Sequence, residues 1–187
     1  NGLEYANSYT FNPHKWMLTN FDCSVLFVDD RKKITNAMSV VPEYLKNKGS
    51  ASGEVIDYMD WSIPLGRKFR GLKLWQVINY YGIEGLQTYI REHVDYTQQL
   101  KNWIDEDPDY EIIAPVPLNL ICFKHKKGNE FNRKLHESVN QSGKLYITRT
   151  KINGEYILRF SNGQPTTTIE HLKESWRLIV DTARSLD

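Results

Sequence analysis

The chain has 187 residues, 40% hydrophobic and 25% charged, enough apolar content to bury a core in one domain or in parts of two. Its 24 Lys+Arg against 23 Asp+Glu leave a formal net charge of +1, so no long-range field marks nucleic acid or an anionic membrane as a partner. No apolar run approaches the roughly 18 residues of a membrane span, and no basic-then-apolar leader opens the sequence. The two cysteines, Cys23 and Cys122, sit in apolar strand-like runs and read as buried free thiols, which agrees with a reducing cytoplasm.

In chain order, the first feature is Asn12-Pro13-His14-Lys15-Trp16, a stiff, glycine-free turn that offers one amine between aromatic neighbours. A Schiff-base lysine must be neutral part of the time, which burial beside aromatic groups promotes, and Phe11 and Trp16 are placed to supply it. On composition alone, Lys15 is a solvated lysine, Asn12 a turn residue before proline and His14 a satisfied core histidine. Cys23 to Val28 reads as a short buried strand, and Asp29-Asp30-Arg31-Lys32-Lys33 as a solvated polar turn. Residues 46–54, small, polar and glycine-bearing, read as a mobile surface lid, with Tyr44 at its edge. In Ile63-Pro64-Leu65-Gly66-Arg67-Lys68-Phe69-Arg70, Gly66 fits a turn of positive φ. The basic residues Arg67, Lys68, Arg70 and Lys73 fit a solvated face or intersubunit pairing.

Leu72, Trp75, Ile78 and Tyr81 recur at helical spacing before Gly82, and Leu86, Ile90, Val94, Thr97, Leu100 and Ile104 continue in a second helix; both stripes read as core. Asp107-Pro108-Asp109 ends that helix and is the expected domain boundary, dividing 1–107 from 108–187. Beyond it lies a small α+β unit. Tyr110 to Ala114 and Leu118 to Phe123 read as strands. Asn129 is expected to cap a helix carrying Phe131, Leu135 and Val139. Leu145 to Ile152 and Glu155 to Phe160 flank Asn153-Gly154, a strong hairpin signal. The last helix carries Ile169, Leu172, Trp176, Ile179, Ala183 and Leu186 on one stripe, with Thr167 and Glu170 as its expected capping box.

The segment from Tyr9, Tyr-Thr-Phe-Asn-Pro-His-Lys-Trp-Met-Leu-Thr-Asn-Phe-Asp-Cys-Ser, resembles the cofactor-lysine region of the pyridoxal-phosphate-dependent aromatic-L-amino-acid decarboxylases, the group II decarboxylases. The likeness extends over essentially the whole chain and includes the Pro-Leu-Gly-Arg segment around Gly66. It implies an α/β architecture of fold type I: the tail of a large mixed-sheet domain over 1–107 and a small C-terminal α+β domain over 108–187. It implies that Lys15 binds the aldehyde of pyridoxal 5'-phosphate, that Asn12 contacts the cofactor phosphate, and that His14 lies beside both.

By the same resemblance, Tyr44 lies on the mobile loop and delivers the proton after carbon dioxide leaves. Relatives with phenylalanine there are aldehyde synthases, so Tyr44 points to a simple decarboxylase. Gly66 takes the position that lines the substrate side-chain pocket, leaving room for an aromatic ring. The implied substrate is an aromatic amino acid and the implied assembly a homodimer. The family's ring-pairing aspartate and ring-stacking histidine lie upstream of the lysine and have no counterpart here, so a missing N-terminal half is expected to complete the site. The alternatives are an aromatic aldehyde synthase, a decarboxylase of another amino acid, or a noncatalytic C-terminal fragment.

Overall fold

Tyr9 and Phe11 lie two residues apart and so project from one face of strand β1 (Ser8–Phe11), where Phe27 of β2 (Val25–Val28) joins them. The strands pair antiparallel, Ser8 opposite Val28 and Phe11 opposite Val25. The Phe11 and Phe27 rings stack with centroids 6.4 Å apart and an interplanar angle of 9°. The computed structural model describes residues 2–39 and 55–186, and the chain divides into two compact units, Asn1–Gly82 and Ile83–Asp187.

In the first unit, the polar run after β2 is not a solvated turn but the start of helix α1 (Arg31–Met38). Asp30 Oδ1 accepts from the Lys32 N–H at 2.8 Å, satisfying one of the donors that a helix start leaves unpaired. Asp29 accepts from Lys33 Nζ at 3.1 Å, one helical turn on. The helix escaped the periodicity reading because it buries no residue and therefore carries no core stripe. At its end, Ser39 Oγ donates to Asp60 Oδ1 at 3.0 Å, in the 3₁₀ turn Tyr58–Trp61.

Helix α2 (Gly71–Glu106) is interrupted at Gly82, whose φ of 67° and ψ of 171° lie outside the helical region. That backbone is open to glycine and strained for other residues, so the chain makes the two helical runs that its two stripes imply. The first stripe is not core. Leu72, Trp75, Ile78 and Tyr81 are all exposed, Trp75 at 60%, because no other described residue covers them. The second stripe does bury Leu86, Thr97, Leu100 and Ile104, with His93 beside them. Its last members, Leu100 and Ile104, belong to the core of the second unit. The division at Gly82 therefore lies upstream of Asp107-Pro108-Asp109, where the helix ends and the Asp109 N–H turns back to Asp107 Oδ1 at 3.0 Å.

The second unit is built on an antiparallel sheet in the order β3 (Tyr110–Ile112), β4 (Leu120–His125), β6 (Glu155–Ser161), β5 (Thr148–Ile152). Along β4, Ile121, Phe123 and His125 are buried and alternate with half-buried neighbours, the period of a strand with one core face. Asn153 (φ 51°) and Gly154 (φ 81°) give the β5–β6 hairpin the two left-handed residues of a primed turn. Helix α3 (Asn129–Gln141) packs on β4, β6 and helix α4 (Ile169–Ser185). Leu135, Val139, Leu172 and Ile179 close the core between them.

Two helix starts differ from expectation. The cap position of α3 is Gly128, and Asn129 instead reaches the hairpin, accepting from the Tyr156 N–H at 2.7 Å and donating to Gly154 O at 3.1 Å. The capping box of α4 is Thr168 with His171, one residue beyond the expected Thr167 and Glu170. There His171 Nδ1 accepts from the Thr168 N–H at 3.1 Å. Both cysteines are free, Cys23 buried and Cys122 half-buried.

Candidate active site

The segment from Asn12 to Ser24 closes on itself through backbone bonds. The Lys15 N–H donates to Asn12 O at 3.0 Å, the Thr19 N–H to Pro13 O at 3.0 Å, and the His14 N–H to Cys23 O at 3.3 Å. Side chains add two staples: His14 Nδ1 accepts from the Cys23 N–H at 2.9 Å, and Ser24 Oγ donates to Asn12 Oδ1 at 2.6 Å. The edge of the Phe21 ring meets the His14 ring with centroids 4.9 Å apart. Within this turn Leu18 holds a left-handed φ of 58°, a conformation that costs a non-glycine residue about 1–3 kcal/mol and that the surrounding bonds must hold.

Asn12, His14 and Lys15 are thus brought together on one stapled turn. Lys15 itself is exposed, contrary to the expected burial between Phe11 and Trp16. Phe11 is occupied in the stack with Tyr9 and Phe27. Among the described residues, nothing accepts a hydrogen bond from the Lys15 amine. Two consequences follow for the neighbouring donors. With Nδ1 taken as an acceptor, the neutral His14 ring carries its proton on Nε2. With Oδ1 taken by Ser24, the Asn12 amide has its N–H groups left to give.

Arg70 and Lys73 bind within the chain rather than forming a solvated face. Arg70 Nη2 donates to Asp22 Oδ2 at 2.8 Å, and Lys73 Nζ donates to Asn20 O at 2.8 Å. The Arg70 hydrogen bond holds the Asp22 carboxyl down to about 2, and the same bond raises the Arg70 guanidinium. These contacts join positions 48 and 53 residues apart and leave no local signal in the sequence. Gly66 does not have the positive φ expected of it. A Cβ built there meets nothing within 4 Å, so no neighbour within the described chain demands glycine. Tyr44 and the lid segment 46–54 lie outside the described residues.

Each unit also has a cleft of its own. A cleft of about 390 Å³ in the second unit is walled by Trp103, Tyr110, His125 and Arg184, and a cleft of about 510 Å³ in the first by Leu3, Tyr9 and Phe27. Neither is lined by Asn12, His14, Lys15 or Gly66. Among the described residues, no group of His, Cys, Asp and Glu could hold a metal ion, and no helix is long and apolar enough to cross a membrane.

Comparison with known proteins bears on the same turn. The chain is 45% identical over 192 residues to phenylacetaldehyde synthase of Arabidopsis thaliana, covering 99% of this chain and 39% of that protein. It is 41% identical over 186 residues to aromatic-L-amino-acid decarboxylase of Mus musculus, covering 100% and 39%. The crystal structure of Oryza sativa TDC with PLP and tryptamine superposes with a TM-score of 0.92 at 36% identity, over 100% of this chain and 40% of that one. The fold is therefore the α/β architecture of fold type I. The chain spans about two fifths of the length of these relatives. Residues 1–126, which include the stapled lysine turn, match the model of the pyridoxal-dependent decarboxylase conserved domain, and the chain accordingly belongs to the group II pyridoxal-phosphate-dependent decarboxylases.

Proposed function

We propose that this chain is the lysine-bearing part of an enzyme that removes the carboxylate of an aromatic L-amino acid, releasing the amine and carbon dioxide. The observation that carries the reading is the Lys15 amine, exposed and without an acceptor among the described residues, on a turn fixed by bonds at Asn12, His14 and Cys23. Pyridoxal 5'-phosphate, the family's cofactor, supplies when bound an aldehyde for that amine and an electron-withdrawing ring that makes loss of a carboxylate feasible.

The donor set fits such a group. Lys15 would hold the aldehyde carbon, and the Asn12 amide N–H and His14 Nε2–H are donors suited to the anionic and oxygen-bearing parts of the cofactor. Tyr44 contributes a phenol, which gives a proton to the substrate's α-carbon once carbon dioxide has left. Gly66 lines the side-chain pocket. The open space where a Cβ would stand supports that role, since it leaves room for an aromatic ring. The relatives' names support aromatic substrates, with L-DOPA, 5-hydroxytryptophan, tryptophan, tyrosine and phenylalanine as the set to assay.

A complete site requires further polypeptide, and we propose an upstream segment of the same enzyme together with a second copy in a cytoplasmic homodimer. Support comes from the first unit's exposed apolar groups, among them Phe21 at 85%, Phe69 at 81% and Ile63 at 91%. Its two-stranded ribbon is also marginal by itself and gains stability from neighbouring strands.

The test is reductive trapping: the full-length polypeptide incubated with pyridoxal phosphate, reduced with borohydride and mapped, alongside a Lys15→Ala control and product analysis on aromatic amino acids. Label on Lys15 with amine and carbon dioxide as products supports the reading. Label with an aldehyde product, formed together with hydrogen peroxide and ammonia as dioxygen is consumed, assigns an aldehyde synthase activity, the kind named for the Arabidopsis relative. No label in the wild-type enzyme rejects the cofactor site, and leaves the chain a noncatalytic part.

A further inference from the structure

The turn that carries Lys15 is closed at its base by bonds among Asn12, Pro13, His14, Thr19, Cys23 and Ser24, and its outer limb, Asn20 to Asp22, which meets the base through the Phe21 and His14 rings, is also held from outside the turn. Asp22 is held by Arg70 at 2.8 Å, and Asn20 O by Lys73 at 2.8 Å, from the residues that flank the start of α2. We infer that the Asp22–Arg70 pair is a positioning clamp for Lys15, setting the turn against the 63–70 segment that carries Gly66. This rests on the cofactor reading of Lys15 given above.

The physical path is short. Asp22 precedes Cys23, whose N–H holds the His14 ring at 2.9 Å, and His14 precedes Lys15. A carboxylate fixed by a guanidinium therefore orients the next peptide N–H, that N–H orients the imidazole and selects its tautomer, and the imidazole's backbone carries the amine. The pair is partly shielded, the Arg70 and Asp22 side chains being 32% and 43% exposed, and it joins two ions directly. The Lys73 bond to Asn20 O restrains the limb at a second point, so the limb cannot pivot about Asp22 alone. Leu18 lies between the stapled base and this limb with its left-handed φ of 58°, a conformation that relaxes if the surrounding restraint is removed. Arg70 and Asp22 touch neither the Lys15 amine nor Gly66 in the structure; they act through the backbone that presents them.

The experiment uses the full-length enzyme with Asp22→Ala, Arg70→Met, the double variant and the conservative Arg70→Lys. Hydrogen exchange of the peptide spanning 12–24, read without cofactor, is compared with that of strands β4 and β6. The rate of borohydride-trapped labelling of Lys15 is measured at saturating pyridoxal phosphate. A clamp predicts faster exchange confined to 12–24 and labelling slowed about 10- to 100-fold. It also predicts a double variant no worse than either single and recovery toward wild type in Arg70→Lys. Unchanged exchange and labelling in both single variants, or effects that add in the double variant, overturn it. If wild-type Lys15 takes no label, the cofactor reading fails, and the exchange of 12–24 alone decides whether Asp22 and Arg70 restrain the turn.

Discussion

Asn132 serves His125 as a strand partner would: its Oδ1 accepts from the His125 N–H at 2.8 Å and its Nδ2 donates to His125 O at 2.7 Å. The same Nδ2 reaches Gly128 O at 2.8 Å, so one buried amide, 1% exposed, ties the end of β4 to the start of α3. A buried backbone group left without a partner costs about 1–3 kcal/mol. Asn132→Ala should therefore destabilise the second unit by roughly 2–4 kcal/mol, several unpaired groups being partly rehydrated. Urea denaturation followed by tryptophan fluorescence measures this; a loss below about 0.5 kcal/mol, the range of ordinary surface changes, would show that the bonds contribute little.

His93 gives stability a pH dependence. It is 2% exposed on α2, with the Tyr89 ring edge-on at 4.2 Å, and Asn162 Nδ2 donates to its backbone oxygen at 3.1 Å. Burial lowers its pKa, while the nearby Glu92 charge and a backbone bond at Gln164 act the other way. The folded chain thus binds a proton less readily than the unfolded one. Its contribution is intact above the ordinary histidine range and declines as pH falls from about 6.5 toward the folded value. The urea midpoint should drop between pH 7.5 and pH 5, and His93→Gln should shrink that drop. An equal drop in the variant would assign the pH dependence to other groups.

Gly82 combines φ 67° with ψ 171° inside an otherwise helical run. No atom lies within 4 Å of where its Cβ would stand, so the cost of a side chain there is conformational and not steric crowding by neighbours. Gly82→Ala is expected to lower stability by about 1–3 kcal/mol. Differential scanning calorimetry would show it as a lower midpoint; an unchanged or higher midpoint would mean that the chain adopts another backbone at this position without loss.

Two predictions depend on the proposed chemistry. Tyr44→Phe in the full-length enzyme removes the proposed proton donor, so in aerated buffer amine formation should fall, and aldehyde, hydrogen peroxide and ammonia should rise with dioxygen and water consumed. Unchanged amine output would end the assignment of Tyr44. Gly66→Phe should raise KM for bulky indole substrates more than for phenylalanine while leaving Lys15 labelling intact, because the substitution fills space without touching the amine. Equal KM for all substrates would remove Gly66 from the pocket.

The lysine turn, the hairpin at Asn153-Gly154 and the core stripes of α3 and α4 were legible in the chain itself, because each depends on residues within a few positions of one another. Proline and the polar side chains of Asn12, His14 and Ser24 define the turn, two left-handed residues define the hairpin, and three- and four-residue spacing defines the helices. The family was legible for the same reason, its signature being one continuous run. Local reading failed where a residue's partner was remote or its neighbour close in rank. Asn129 has cap chemistry yet bonds the hairpin 25 and 27 residues away. The capping box slipped by one residue because Thr167 and Thr168 are chemically alike. Apolar spacing determined that residues 72–81 form a helix, but only the packing decided that this stripe is exposed while the next is buried, since periodicity marks an apolar face without naming what covers it. The bond between Asp22 and Arg70 belongs wholly to the tertiary structure: opposite charges occur throughout the sequence, and folding alone chooses which two meet.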